Sequence, residues 1–353
     1  MTKVETAPMV IGDTPLQPGT RQHVSMPVLR DLDSSTISLH IHAVTGARPG
    51  PAMAVVTVLH GGEWQAADIA LSLLDRVDPA DLAGTLLVLP IANPLAMGSG
   101  TRNIRDESDS PDLNRSFGGE QSWLADQLAR AISDHVLSKV DAVMDYHSGL
   151  WGATMGSVTC GRDFSDADVS RRAYEMAKAF GRGHVRRGDL ATKFPGPKSM
   201  VGYAGQVLGV PGIISEVGGT GFAPEIEDEW LRVNVEGTLN VMGHLGMIER
   251  TSTPPDRLTV FDKVIRVNPT VGGMLEPIFP VEGLMKDEVQ PGQLLGRVWS
   301  PYTFEVIEEL RSPVRGLVDM VPRPYPVRPG DWAYLLIDLD APGTREVAGD
   351  EAP

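Results

Sequence analysis

The chain reads as an α/β protein, with helices covering a mostly parallel or mixed sheet, followed by a small all-β domain. Three observations predict this. Short β-branched runs alternate with segments of 3.6-residue apolar spacing from Ile37 to Leu245. A polar, proline-rich break follows at Thr251-Ser-Thr-Pro-Pro255. Beyond it come only short strand-like runs punctuated by Gly and Pro. With 353 residues and 42% apolar content the chain can bury a proper core.

Residues 1–35 are rich in Pro, Thr and polar side chains and read as an arm with one edge strand. Ile37 to Ala43 alternates apolar and polar, a half-buried strand that puts His40 and His42 together on its polar face. Such a pair can bind metal, but a solvated strand face is the plainer reading. Strands are expected at Met53 to His60, Thr85 to Ile91, Ala142 to His147 and Gly212 to Val217. Helices are expected at Ala66 to Val77, Ser122 to Lys139, Asp168 to Phe180 and Asp228 to Leu245. The α/β domain therefore covers 36–250. The all-β domain covers 258–340, with strands near Val264 to Val267, Val289 to Val298, Thr303 to Ile307, Gly316 to Met320 and Ala333 to Ile337. Residues 341–353, small and acidic, read as a mobile tail.

Ligand sites in α/β domains lie at the carboxyl ends of the strands. His60-Gly-Gly-Glu63 stands at the end of one apolar run and His147 at the end of another. The two glycines let the chain turn sharply, so that His60 and Glu63 converge on one ion with His147. Two histidines and a carboxylate leave the fourth position of a tetrahedral zinc open, as in a catalytic site; a structural zinc would draw on cysteines, and this chain has one. Manganese, cobalt or iron could use the same ligands. Glu216, at the end of Gly212 to Val217, is a buried-strand acid suited to moving a proton, or else an acid that pairs with an arginine or caps a turn. Arg102 and Arg115 stand on a long loop. They suit carboxylate capture or oxyanion stabilisation, against a plainer role in ion pairs with Asp106, Glu107, Asp109 and Asp112.

A net charge of −15 and a pI near 4.9 argue against nucleic acid or an anionic membrane as partner. The first residues lack the apolar stretch of a signal peptide, and no run of eighteen apolar residues occurs, so the cytoplasm is the expected location. The lone Cys160 fits a reducing compartment and reads as buried filler. His23, His135, His184 and His244 have no matched partners in the sequence and read as surface or packing residues.

Taken together, His-Gly-x-Glu at 60–63, Asn-Pro-x-Ala at 93–96, Thr-Arg at 101–102, Asp-Leu-Asn-Arg at 112–115, Asp-x-His-Ser-Gly at 145–149 and Glu-Val-Gly at 216–218 resemble the succinylglutamate desuccinylase and aspartoacylase family. The resemblance runs from about Gly50 to Asp340. It implies a zinc-carboxypeptidase-like fold and a zinc-dependent amidohydrolase that removes an acyl group from an N-acyl amino acid or related small amine. It further implies one zinc per subunit on His60, Glu63 and His147, with Glu216 as general base and acid. Arg102 would polarise the scissile carbonyl, while Asn114 and Arg115 would grip the substrate carboxylate. A metallocarboxypeptidase using the same parts is the alternative, and a zinc-binding protein without catalysis is the rival from another class.

Aspartoacylases look to carry a further arginine about ten residues before the catalytic glutamate; here that stretch is Tyr203-Ala-Gly-Gln206, which puts acidic amino-acid substrates in doubt. A tyrosine of the β domain closes the site in some relatives, and Tyr302, Tyr325 and Tyr334 are equal candidates. The β domain itself resembles biotinyl/lipoyl barrel-sandwich modules. It has no lysine after Lys286, so a structural lid or a contact in a homo-oligomer is expected rather than a prosthetic-group carrier.

Overall fold

The computed structural model describes residues 8–104, 112–149, 153–162, 164–189, 196–252 and 254–349. Ten strands build the central sheet: β1 (Thr20–Arg30), β2 (Thr36–Thr45), β3 (Arg48–Thr57), β4 (Ala83–Leu89), β5 (Ala142–Tyr146), β6 (Val158–Arg162), β7 (His184–Asp189), β8 (Gly212–Ser215), β9 (Arg257–Phe261) and β10 (Arg345–Ala348). Their spatial order is β10-β9-β7-β6-β8-β5-β3-β4-β2-β1. At its heart β8, β5, β3 and β4 lie side by side and parallel, so their carboxyl ends share one rim. β6 joins β8 antiparallel.

Among the described residues six α-helices flank it: α1 (Ala66–Arg76), α2 (Pro94–Ser99), α3 (Leu124–His135), α4 (Ala167–Phe180), α5 (Met200–Val207) and α6 (Pro224–His244). The apolar run of β3 is continuous because both of its faces are covered. Met53 and Val55 point into a core shared with Leu73, Phe180 and Leu239 of α1, α4 and α6. Ala54 and Val56 point the other way, towards Leu128 and Ile132 of α3 and Met200 of α5. No helix among the described residues is long and apolar enough to cross a membrane.

Between β9 and β10 the chain forms two antiparallel sheets. One joins Ile265–Val267, Tyr334–Asp338, Gly316–Pro322 and Glu288–Val289; the other joins Val306–Arg311, Leu294–Trp299, Gly273–Pro277 and Tyr325–Val327. Their facing residues, among them Leu275, Leu295, Val318 and Leu336, make a separate core. Ala153–Met155, just past the His147 loop, adds itself to Gly316–Pro322 and ties this module to the larger fold.

Several boundaries differ from the sequence reading. Arg257–Phe261 belongs to the large sheet, paired with both β7 and β10. The expected tail from 341 contains β10, whose Val347 is buried against β9; one buried apolar residue in a short strand is enough once an open sheet edge is present. The strand expected at Thr303 to Ile307 begins at Val306, because Phe304 takes a left-handed backbone (φ 61°) in the hairpin turn. Residues 350–353 and Thr253 of the expected break lie outside the described residues.

Candidate active site

The strand ends of β3, β5 and β8 deliver the three parts. β3 stops at Thr57, and the turn is made by Val58, a β-branched residue held at φ 55°. Asn93 holds that strained turn: its backbone N–H donates to Val58 O, and its side chain donates to Leu59 O (3.1 Å). The same side chain caps α2 by accepting from Ala96 N (3.1 Å). Gly61 is required by contact rather than by φ, since a Cβ there would lie 2.0 Å from the carbonyl of Ala96. The Asn-Pro-x-Ala motif is therefore the seat on which the His60 loop rests.

His60, Glu63 and His147 are all buried, at 2–3% exposure. His60 Nδ1 lies 2.9 Å from Glu63 Oε1, His147 Nδ1 lies 2.8 Å from Glu63 Oε2, and the two Nδ1 atoms are 3.1 Å apart. Among the described residues this is the one group of three metal-ligating side chains whose donor atoms converge, all within 4.8 Å. Behind each ring stands a second carboxylate: Asp112 Oδ1 is 3.1 Å from His60 Nε2, and Asp145 Oδ2 is 3.1 Å from His147 Nε2. Carboxylates in that position fix ring orientation in metal sites.

The electrostatics follow from burial against pairing. Burial pushes the Glu63 carboxyl up, but the two imidazoles outweigh it and bring it down to about 2. Burial likewise opposes ionisation of Asp112, yet His60 and Arg102 hold it well below the usual carboxylate range. Burial would lower His147, whereas Asp145 and Glu63 raise it well above the ordinary imidazole value. Glu216 is 8% exposed; burial first, then Glu63 and Asp145 against His147, push it up to about 6. Four carboxylates thus crowd two imidazoles and Arg102. A divalent cation at the converging Nδ1 and Oε atoms would relieve that excess, and two histidines with one carboxylate are a fitting donor set for zinc.

The remaining expected residues are placed as follows. Arg102 reaches the site edge, with Nη1 3.4 Å from His60 Nδ1, while Nε and Nη2 donate to Asp112 Oδ2 at 3.0 and 2.8 Å. The ion pair of the plainer reading is thus present with Asp112; Asp106, Glu107 and Asp109 lie outside the described residues. Asn114 is buried, with Nδ2 3.1 Å from His147 Nε2, and its Oδ1 accepts from Met200 N (2.8 Å). Arg115 is exposed and donates to the Asn114 carbonyl (2.5 Å), with no hydrogen bond to the triad among the described residues. Tyr302 is 91% exposed at a hairpin tip. Tyr325 donates to Trp332 O and Tyr334 to Leu295 O, so none of these three hydroxyls meets the triad. Tyr203-Ala-Gly-Gln206 forms part of α5. Cys160 is buried within β6.

The sequence reading did not single out Asp145 or Asp112 as partners of the histidines. The signal existed for Asp145, since residues two apart on a strand share a face. A cavity of about 190 Å³ opens beside His147 between the first turns of α1 and α6, lined by Trp64, Ser148, Thr220 and Glu227 among others.

Comparison with known proteins agrees with this architecture. A family model of the succinylglutamate desuccinylase/aspartoacylase catalytic domain matches residues 49–245, and the chain belongs to that family, whose members hydrolyse amide bonds to release acyl groups. The N-alpha-acetyl-L-2,4-diaminobutyric acid deacetylase of Halomonas elongata is 26% identical over 299 residues, covering 82% of this chain and 83% of its own. The crystal structure of a succinylglutamate desuccinylase/aspartoacylase from Rhodobacter sphaeroides superposes with a TM-score of 0.76 at 22% identity, covering 93% of this chain and 99% of that one. The product-bound structure of the ectoine utilization protein EutE (DoeB) from Ruegeria pomeroyi gives 0.75 at 20% identity, covering 94% and 99%.

Proposed function

We propose that this protein is a zinc-dependent deacylase that hydrolyses the amide of an N-acyl amino acid or a related small N-acyl amine. The observation that carries the proposal is the buried His60, Glu63 and His147 convergence with Glu216 beside it at the end of the neighbouring parallel strand. Zinc on those three residues would supply Lewis acidity towards the carbonyl and lower the pKa of water. Glu216, pushed up by burial to about 6, takes the proton from the attacking water as the new C–O bond is made. It returns that proton to the nitrogen as the C–N bond breaks. Arg102, already 3.4 Å from His60, donates to the carbonyl oxygen as negative charge builds there. Asn114 and Arg115 hold the substrate carboxylate; the exposed Arg115 has room to swing towards it. The lone, buried Cys160 suits a reducing compartment, and we place the enzyme in the cytoplasm.

The test is amine release from a panel of N-acyl amino acids and short peptides by zinc-loaded protein, with a chelated control. Nα-acetyl-2,4-diaminobutyrate belongs at the head of the panel because of the Halomonas elongata relative. Chelator-sensitive release from acylated single amino acids is the expected result. Cleavage confined to peptides would make the protein a carboxypeptidase, and turnover unaffected by chelation would refute the metal assignment.

A further inference from the structure

At the edge of the sheet, beyond β4 from the strand that delivers His60, three histidines meet on one face of the β1–β2 pair. β1 and β2 run antiparallel with His23 directly opposite His42 and Ser25 opposite His40, so His40 and His42, two apart on one strand, share a face with His23. His23 Nε2 lies 3.0 Å from His40 Nδ1. The His23 ring stacks on both partners, with centroids 5.2 Å from His40 and 4.8 Å from His42. We propose that His23, His40 and His42 form a second metal site, for a divalent transition cation of the zinc or copper type, that pins the edge strand β1 to β2.

Three features support the site. Two imidazoles at i and i+2 on one strand and a third directly across the ladder form a triangle of side chains on one face. Strand rise sets one side at about 6.7 Å and cross-strand pairing another at roughly 5 Å, a span that three imidazoles can close on one ion. The His23–His40 nitrogen separation is already close to the roughly 3.3 Å edge of a tetrahedron with metal–nitrogen bonds of about 2.0–2.1 Å. His23 and His40 are exposed, so a cation can reach them. Coordination requires the His42 ring to turn from its stack on His23, a rotation between staggered side-chain wells. An all-imidazole set favours zinc or copper over magnesium or calcium.

The test compares the wild-type chain with His23→Gln/His40→Gln/His42→Gln and with the single variant His40→Asn. Each is equilibrated with Zn²⁺ at pH 7.5, freed of loose ion by gel filtration and analysed for zinc per chain, with calorimetric titration alongside. Zinc that the triad retains is common to all three proteins, so only the difference is read, and the result stands whether or not the deacylase reading is right. The wild type should bind one more equivalent than the triple variant. His40→Asn should bind that equivalent at least ten-fold more weakly, and added Zn²⁺ should raise the wild-type Tm more than the triple variant's. Equal stoichiometry in the wild type and the triple variant, or an extra equivalent that survives all three substitutions, would overturn the site.

Discussion

Asp145 is fully buried two residues before His147 and its Oδ2 faces His147 Nε2, so it decides which way that ring presents its other nitrogen. Asp145→Asn keeps the shape but weakens the grip on the ring, and zinc affinity should fall 10–100-fold, read by competition with a chromophoric chelator. An affinity within two-fold of wild type would show that Asn114, the other neighbour of Nε2, suffices. At this scale the sequence was legible wherever chemistry and position coincide. His60, His147 and Glu216 each close an apolar run, with Glu63 one glycine turn past His60, and an acid or imidazole there stands out against its surroundings. It was less legible for Arg115, whose motif position says nothing of the direction in which an exposed guanidinium points.

Among the elements, α2 has only six residues and exists because Asn93 caps it and fastens it to the His60 turn. Asn93→Ala keeps the backbone bond to Val58 but removes the two side-chain hydrogen bonds to Leu59 and Ala96 from a fully buried site, so it should cost about 2 kcal/mol of stability in urea denaturation, with zinc affinity lowered as well. A loss under 0.5 kcal/mol would mean that Pro94 and the Gly61 contact hold the turn alone. β7 shows why part of the sheet was missed: His184-Val-Arg-Arg-Gly-Asp has one apolar residue, and its partners β6 and β9 are distant in sequence. Its polarity has a consequence for stability. Burial first, then Arg182, lowers His184 from the ordinary 6.5 to about 4. The unfolded chain therefore binds the proton more readily, so the contribution of neutral His184 is complete above pH 6.5 and is lost as pH falls towards 4. His184→Phe should flatten the decline of Tm between those values relative to wild type; parallel curves would place the titration elsewhere.

Across the whole molecule, the β module is an insertion between two paired strands of the main sheet, β9 and β10, which explains why its borders were hidden at 258 and 340. Its contact with the site region is polar as well as apolar. Asp319 is fully buried, accepts from Ser157 Oγ (3.2 Å), and lies in the field of Arg186 and Arg182, while Ser157 O accepts from Glu216 N (3.1 Å). Asp319→Ala removes the acceptor of Ser157 Oγ and a buried carboxylate that faces Arg186 and Arg182, and should destabilise the protein by about 3 kcal/mol, measured by urea unfolding; a neutral effect would show that the module is held by its apolar contacts alone.

The central claim is that Glu216 moves the proton in a reaction whose metal is held by other residues. Its most direct test is zinc content and turnover measured together on Glu216→Gln, with the most active N-acyl amino acid of the panel as substrate. The expected result is full zinc occupancy with turnover reduced at least a thousand-fold, a loss of about 4 kcal/mol of transition-state stabilisation. Zinc-replete Glu216→Gln working at the wild-type rate would contradict it.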